Sequence, residues 1–289
     1  MRMHSDQKPH KRTYTVLGFL GVLGLIVLAF ALRRPEQDTR QEAAIPLPPL
    51  QVTDIHSGLD YALDKVARIK LVPPVFLSSI KVNLDRLLDV DEKKRTFFRI
   101  MLPHTARENG HILAERAKIL SNPDNVPDAL YDKYEVEHGN VKELLKRVDV
   151  VPTSLVLSQA AVESGWGTSR FARDGNNFFG MRTYNKDSKG LDPKEAEGFK
   201  VMIFSDIAAS VRAYMKNLNT NSAYAEFRNA RAENRARDEA PSGRTMLNFL
   251  SAYSEIPEKY ATMLRGMMER NKLERFDGVR LDTTKRPGT

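Results

Sequence analysis

The sequence predicts an α+β protein, mainly helical, with a small β-hairpin lobe and an N-terminal transmembrane helix. Three observations carry this. Apolar residues recur at helical spacing through most of the chain after Asp89. Between Met181 and Phe204 the pattern changes to Thr183-Tyr184, Lys189-Gly190 and the run Gly198-Phe-Lys-Val-Met-Ile-Phe204, which is a short hairpin signature. Ahead of both, Tyr14 to Leu32 is an uncharged apolar run long enough to cross a bilayer.

Residues 1–13 read as a cytoplasmic tail, with Arg2, Lys8, Lys11 and Arg12 opposed only by Asp6. Arg33, Arg34 and Arg40 follow the apolar run, diluted by Glu36 and Asp38, so the basic bias puts the N-terminus inside. Residues 14–32 are then a transmembrane anchor or uncleaved signal. A cleaved signal peptide with Ala29-Phe-Ala31 as its site is the competing reading, disfavoured by the adjacent Arg33-Arg34. Either way the rest of the chain lies outside the cytoplasm. The expected placement is single-pass in the inner membrane, with the main domain in the periplasm.

Residues 33–74 read as a linker and juxtamembrane helix. Pro35, Pro46, Pro48 and Pro49 mark the linker, Ile55, Leu59, Leu63 and Val66 line the helix, and Pro73-Pro74 ends it. Residues 75–150 form a helical N-terminal part. It holds a long helix from Asp89 to Leu120 kinked at Pro103, a turn at 122–127 and a helix from Val141 to Val148. Residues 151–275 hold the functional region. Pro152 opens its first helix and Ser164-Gly165 closes it. Ser205-Asp206 then caps Ile207 to Asn219, and helices follow over 222–237, 245–253 and 258–272. Residues 276–289 read as a flexible tail.

Within that first helix, Val156, Ala160 and Glu163 share a face. Glu163 therefore sits among small apolar residues in a last turn whose dipole already disfavours an anion. Both effects push its pKa up. A carboxyl protonated near neutral pH suits proton donation to a glycosidic oxygen. Trp166 is the only tryptophan and lies within a turn of that acid. Gly165, Gly167, Gly175 and Gly180 bracket Trp166 and Asn176-Asn177-Phe178-Phe179, offering close backbone approach and paired donors and acceptors to a hydroxyl-rich ligand.

Composition removes several alternatives. With no cysteine there is no disulfide, thiolate metal site or cysteine nucleophile. The six histidines show no H-E-x-x-H spacing, so no metal is expected. There is no G-x-S-x-G elbow and no phosphate-binding glycine fingerprint, and no cofactor is expected. The net charge of +8 suits a polyanionic partner. Basic residues are not interleaved with aromatics as in a binding module, and a membrane segment is present, so nucleic acid is not expected.

The string Leu157-Ser-Gln-Ala-Ala-Val-Glu163-Ser-Gly-Trp-Gly-Thr-Ser-Arg170, with Asn176-Asn-Phe-Phe-Gly180-Met, resembles the bacterial glucosaminidase domain of the flagellar and autolysin type. More closely, the chain resembles the Bax family. The likeness extends upstream through Pro74-Val-Phe-Leu, Asp91-Glu-Lys-Lys-Arg-Thr-Phe-Phe98 and Ile112-Leu-Ala-Glu-Arg116, covering residues 70–275. The resemblance implies a lysozyme-like fold acting on peptidoglycan glycan strands. It makes 151–275 the glucosaminidase catalytic region, cleaving the β-1,4 bond between N-acetylglucosamine and N-acetylmuramic acid.

The family's general acid falls on Glu163, and Trp166, Asn176, Asn177 and Phe179 would shape the sugar subsites. For the second catalytic group the hairpin lobe offers Asp187, Asp192, Glu195 and Glu197. Glu195 and Glu197 are favoured because they alternate onto one strand face. A late tyrosine facing the acid falls on Tyr253 or Tyr260. Inversion and retention both stay open. The alternative class is a non-catalytic peptidoglycan-binding or scaffolding module, suggested by the altered hairpin lobe. An amidase is less favoured, for want of zinc or cysteine machinery.

Overall fold

The computed structural model describes residues 59–81, 84, 89–185, 187–193, 198–254 and 256–284. The apolar run 14–32 and the carboxylates Glu195 and Glu197 lie outside these residues. Among the described residues no helix is long and apolar enough to cross a membrane. The fold is mainly helical with a small three-stranded antiparallel sheet and a two-stranded parallel one.

The first helix, α1 (Leu63–Ile69), buries Leu63 and Val66 and stops at Lys70 in the left-handed region. Strand β1 (Leu71–Val72) follows. The long helix α2 (Val90–Ser121) starts at Asp89, whose side chain accepts from the Asp91 and Glu92 amides. It runs unbroken through Pro103. Proline supplies no N–H, so the Arg99 carbonyl four residues back loses its helical donor. Tyr61 Oη replaces it, donating to that carbonyl at 2.6 Å. The kink expected at Pro103 is thus not a break, because a tyrosine from outside the helix completes the ladder.

Helices α3 (Asp128–Tyr134) and α4 (Val141–Arg147) lead to α5 (Thr153–Ser164), the apolar helix ending near Glu163. Its first nine residues are all buried, and it packs against α2 and the C-terminal elements. Gly165 caps it at φ 57°, as the Ser164-Gly165 pair predicts. After α6 (Arg170–Gly175) come β2 (Arg182–Thr183), β3 (Gly190–Leu191) and β4 (Lys200–Met202), ordered β2-β4-β3. The expected hairpin is therefore a three-stranded sheet. Asp206 caps α7 (Ile207–Thr220), followed by α8 (Ala225–Ala236) and α9 (Gly243–Met246). The helix expected over 245–253 is instead the end of α9 followed by two 3-10 turns. The last helix is α10 (Pro257–Arg270).

Two boundaries need correction. Residues 276–284 are not a flexible tail: β5 (Arg280–Leu281) pairs in parallel with β1, and Phe276 and Val279 are buried. Residues 59–72 are not a spacer apart from the domain: the expected helix is there as α1, and Leu59, Leu63, Val66 and Val72 enter the common core. Each segment supplies what the other lacks. A two-residue strand is not stable alone, and here the first and last described strands complete one another.

Candidate active site

Glu163 projects from the last turn of α5, and its Oε1 accepts from Tyr260 Oη at 2.8 Å. The residue is half-buried. Burial pushes its carboxyl up to about 7, while the Tyr260 hydroxyl and the Arg182 guanidinium pull the other way. Burial prevails because an anion in apolar surroundings loses more hydration than one hydroxyl and one partly screened cation restore. The upward direction is the one expected from the sequence.

Behind Glu163 lies a set of tyrosines. Tyr260 receives a hydrogen bond from Gln159 Nε2 at 3.0 Å. Tyr214 donates to Gln159 Oε1. Tyr253 stacks on Tyr260 with ring centroids 5.5 Å apart, and its hydroxyl donates to the Phe179 carbonyl at 3.0 Å. Phe179 itself stacks on Tyr214 at 4.0 Å. Of the two late tyrosines expected from sequence, Tyr260 touches the acid and Tyr253 supports it.

The subsite residues are distributed differently from the expectation. Trp166 adopts φ 61° and is half-buried, its ring meeting Phe98 and Phe97 edge-on at 5.4 and 5.8 Å. It anchors the turn after α5 onto α2 while keeping part of its surface open. Asn177 is 1% exposed, and its amide donates to the Met181 and Met202 carbonyls at 2.8 and 2.9 Å. Its Oδ1 accepts from the Met181 amide at 3.0 Å. Asn176 donates to the Phe204 and Ser205 carbonyls. Phe179 is 2% exposed. Buried and engaged in this way, Asn176, Asn177 and Phe179 are braces joining the turn to β4 and α7 rather than groups facing a ligand. That corrects the expectation that their side chains line a subsite. Polar side chains in a glycine-rich loop satisfy its backbone as readily as they meet a ligand.

Glu195 and Glu197 lie outside the described residues, so the favoured second carboxylates have no described position. Asp187 and Asp192 are exposed.

Three participants went unrecognised in the sequence. Gln159 lies one helical turn before Glu163, a spacing that puts the two on the same side of α5. Tyr214 lies among the buried residues of α7, where nothing in its helical spacing distinguishes it from core. Arg182 had no signal beyond its place at the start of the hairpin lobe. It lies against Phe199 with 4.2 Å between guanidinium and ring.

Residues 139–273 match the Glucosaminidase family, described as mannosyl-glycoprotein endo-beta-N-acetylglucosaminidase. The chain is 35% identical over 196 residues to Protein bax of Escherichia coli strain K12, a match covering 62% of this chain and 70% of that protein. A looser structural likeness, with a TM-score of 0.36 and 16% identity, links it to the catalytic domain of the autolysin Auto from Listeria monocytogenes. That match covers 75% of this chain and 98% of the other.

Proposed function

This chain belongs to the Bax family of glucosaminidase-domain proteins, and from that premise we propose that it is a peptidoglycan hydrolase. In this reading it cleaves the β-1,4 bond between N-acetylglucosamine and N-acetylmuramic acid with Glu163 as general acid. The single observation that carries the proposal is the half-buried Glu163, raised to about 7 and held by Tyr260. A carboxyl in that state protonates the leaving oxygen as the glycosidic bond lengthens, and charge develops on the sugar as an oxocarbenium-like species. Water then completes hydrolysis, activated either by a hairpin-lobe carboxylate or by Glu163 itself once it has become a base. Tyr260 would remain donated to the carboxylate and stabilise it at that stage. Trp166, half-buried within one turn of Glu163 and with Lys94 Nζ 5.8 Å over its ring, is the aromatic side chain this reading assigns to a sugar face.

The apolar run 14–32 supports a tethered form of the enzyme, anchored in the inner membrane with the catalytic domain in the periplasm. That location brings Glu163 to an insoluble substrate.

The test uses the full chain and its Glu163→Gln variant on purified peptidoglycan, with borohydride reduction and mass spectrometry of released fragments. New reducing ends at N-acetylglucosamine, reduced by at least about 100-fold in the variant, are the expected result. Binding to peptidoglycan without new ends at any pH would favour a glycan-binding module instead.

A further inference from the structure

The hydrogen bonds behind Glu163 have a direction. Tyr214 donates to Gln159 Oε1, Gln159 Nε2 donates to Tyr260 Oη, and Tyr260 donates to Glu163 Oε1. Tyr214 and Gln159 are fully buried and Tyr260 nearly so, which shields the links from replacement by bulk water. A phenol has a single proton, and an amide has one donating and one accepting end. With Gln159 Nε2 aimed at Tyr260, the phenol proton must point forward to Glu163.

Turning the Gln159 amide over would reverse everything beyond it. Nε2 would face Tyr214, Oε1 would take the Tyr260 proton, and Tyr260 would show Glu163 a lone pair. Protonated Glu163 would then settle with its proton on Oε1, bound to Tyr260 and withheld from a substrate. In the observed polarity Oε1 is already an acceptor. Oε2 has no hydrogen-bond partner among the described residues, and Glu163 is only half-buried.

We propose that Gln159 and Tyr214 are positioning residues whose fixed hydrogen-bond polarity keeps Glu163 Oε1 an acceptor and places the reactive proton on Oε2. This rests on the reading of Glu163 as the acid. Neither residue touches substrate; each acts through Tyr260. After proton transfer the same polarity leaves a donor on the new carboxylate, ready for the return step. A reversed chain would serve neither stage, because it traps the acid's proton and offers the anion no donor.

Among the described residues, the groups facing Glu163 are Tyr260 on α10, Arg182 on β2, Tyr214 on α7, and Tyr224 and Tyr253 in 3-10 turns. Burial raises all four tyrosines above their ordinary range, so none of them ionises near neutrality. Among the described residues, therefore, a shift in the titration of Glu163 reports on its hydrogen bonds rather than on a second titrating neighbour.

The test is an infrared titration of the Glu163 carboxyl in the full chain, isolated by subtracting the spectrum of Glu163→Gln. Wild type, Tyr260→Phe, Gln159→Leu and Tyr214→Phe are compared, with pH–activity profiles on peptidoglycan alongside. Tyr260→Phe should raise the midpoint by about one pH unit, as loss of a donor to an anion requires. Tyr214→Phe should raise it in the same direction by a smaller step and lower kcat without raising KM, although Tyr260 is intact. Gln159→Leu, which leaves Tyr260 its hydroxyl and Glu163 as its acceptor, should raise the midpoint by less than Tyr260→Phe.

Gln159→Leu leaves two buried hydroxyls short of a partner and risks misfolding. Tyr214→Phe keeps the ring on Phe179 and decides the matter alone. If Tyr214→Phe keeps the wild-type midpoint and pH profile, the two residues are packing only and the proposal falls, whatever happens to stability. If the midpoints move but wild type releases no sugar fragments, the polarised chain stands and the glycosidase reading fails.

Discussion

At the scale of single residues, Glu163 is set by opposing influences of unequal size. Burial raises it, and Tyr260 and Arg182 pull it down without prevailing. Arg182 is the one that can be removed without touching α5 or the tyrosines behind the acid. Arg182→Gln should move the alkaline limb of the pH–activity profile to higher pH. Added salt should produce a similar but weaker shift in the wild type, because a partly exposed cation is screened. An unmoved limb in the variant would show that Arg182 does not act on the acid. The sign of the limb follows from the proposed role: with Glu163 as the acid, activity needs the protonated carboxyl and should decline as pH rises through about 7. The residues flanking this acid were only partly legible. Its apolar helical surroundings are a local pattern, whereas Tyr214 comes from a helix more than forty positions away.

At the scale of elements, two pieces of chain read as peripheral turn out to hold the central helices. Tyr61 donates to the Arg99 carbonyl that Pro103 leaves open, and Arg99 Nε returns a bond to the Tyr61 carbonyl at 3.1 Å. Tyr61→Phe should cost about 1–2 kcal/mol in urea unfolding. In a Pro103→Ala background, where residue 103 again supplies an N–H, the same change should cost clearly less. Equal costs in the two backgrounds would break the link between proline and tyrosine.

Asp277 makes a second such connection. Its carboxylate accepts from the Ser154 amide and hydroxyl, each at 2.8 Å, and from the Gly243 amide at 3.2 Å, so one side chain caps both α5 and α9. The two helix starts are pressed together there, since a Cβ on Gly243 would lie 2.1 Å from Ser154 Oγ. Asp277→Ala should destabilise the fold by about 2 kcal/mol, with kcat falling as α5 loses its anchor. A fully active, equally stable variant would show that α5 is held by packing alone.

At the scale of the whole molecule, the ionisable groups divide by the direction in which pH weakens the fold. Glu163 is raised, so its contribution is complete below the free-glutamate value of about 4.3 and is lost as pH rises through about 7. Removing ionisation there should help: the Tm of Glu163→Gln relative to wild type should climb between pH 4.5 and pH 8. A constant difference across that range would mean that the carboxyl is not strained by ionisation. Other groups act at the acid end. Burial pushes Asp149 up, yet bonds from Arg235 and the charges of Arg231 and Arg116 hold it below its ordinary value. Its stabilisation is present at neutral pH and declines as pH falls. Burial holds His104 down to about 3, so protonating it on acidification also works against the fold.

The sequence by itself determined the helix carrying Glu163, its Gly165 cap, the site of the small sheet and the acid's unusual titration. Each of these follows from neighbours a few positions apart, through helical periodicity, backbone freedom at glycine and local burial. Only the tertiary structure decided that Leu71–Val72 and Arg280–Leu281 pair in one sheet and that the segments carrying them share a core. It also decided that Asn176 and Asn177 brace the turn, and that Gln159, Tyr214 and Tyr260 line up behind the acid. Those facts depend on which distant polar groups must satisfy one another once water is excluded, and spacing along the chain contains no record of that pairing.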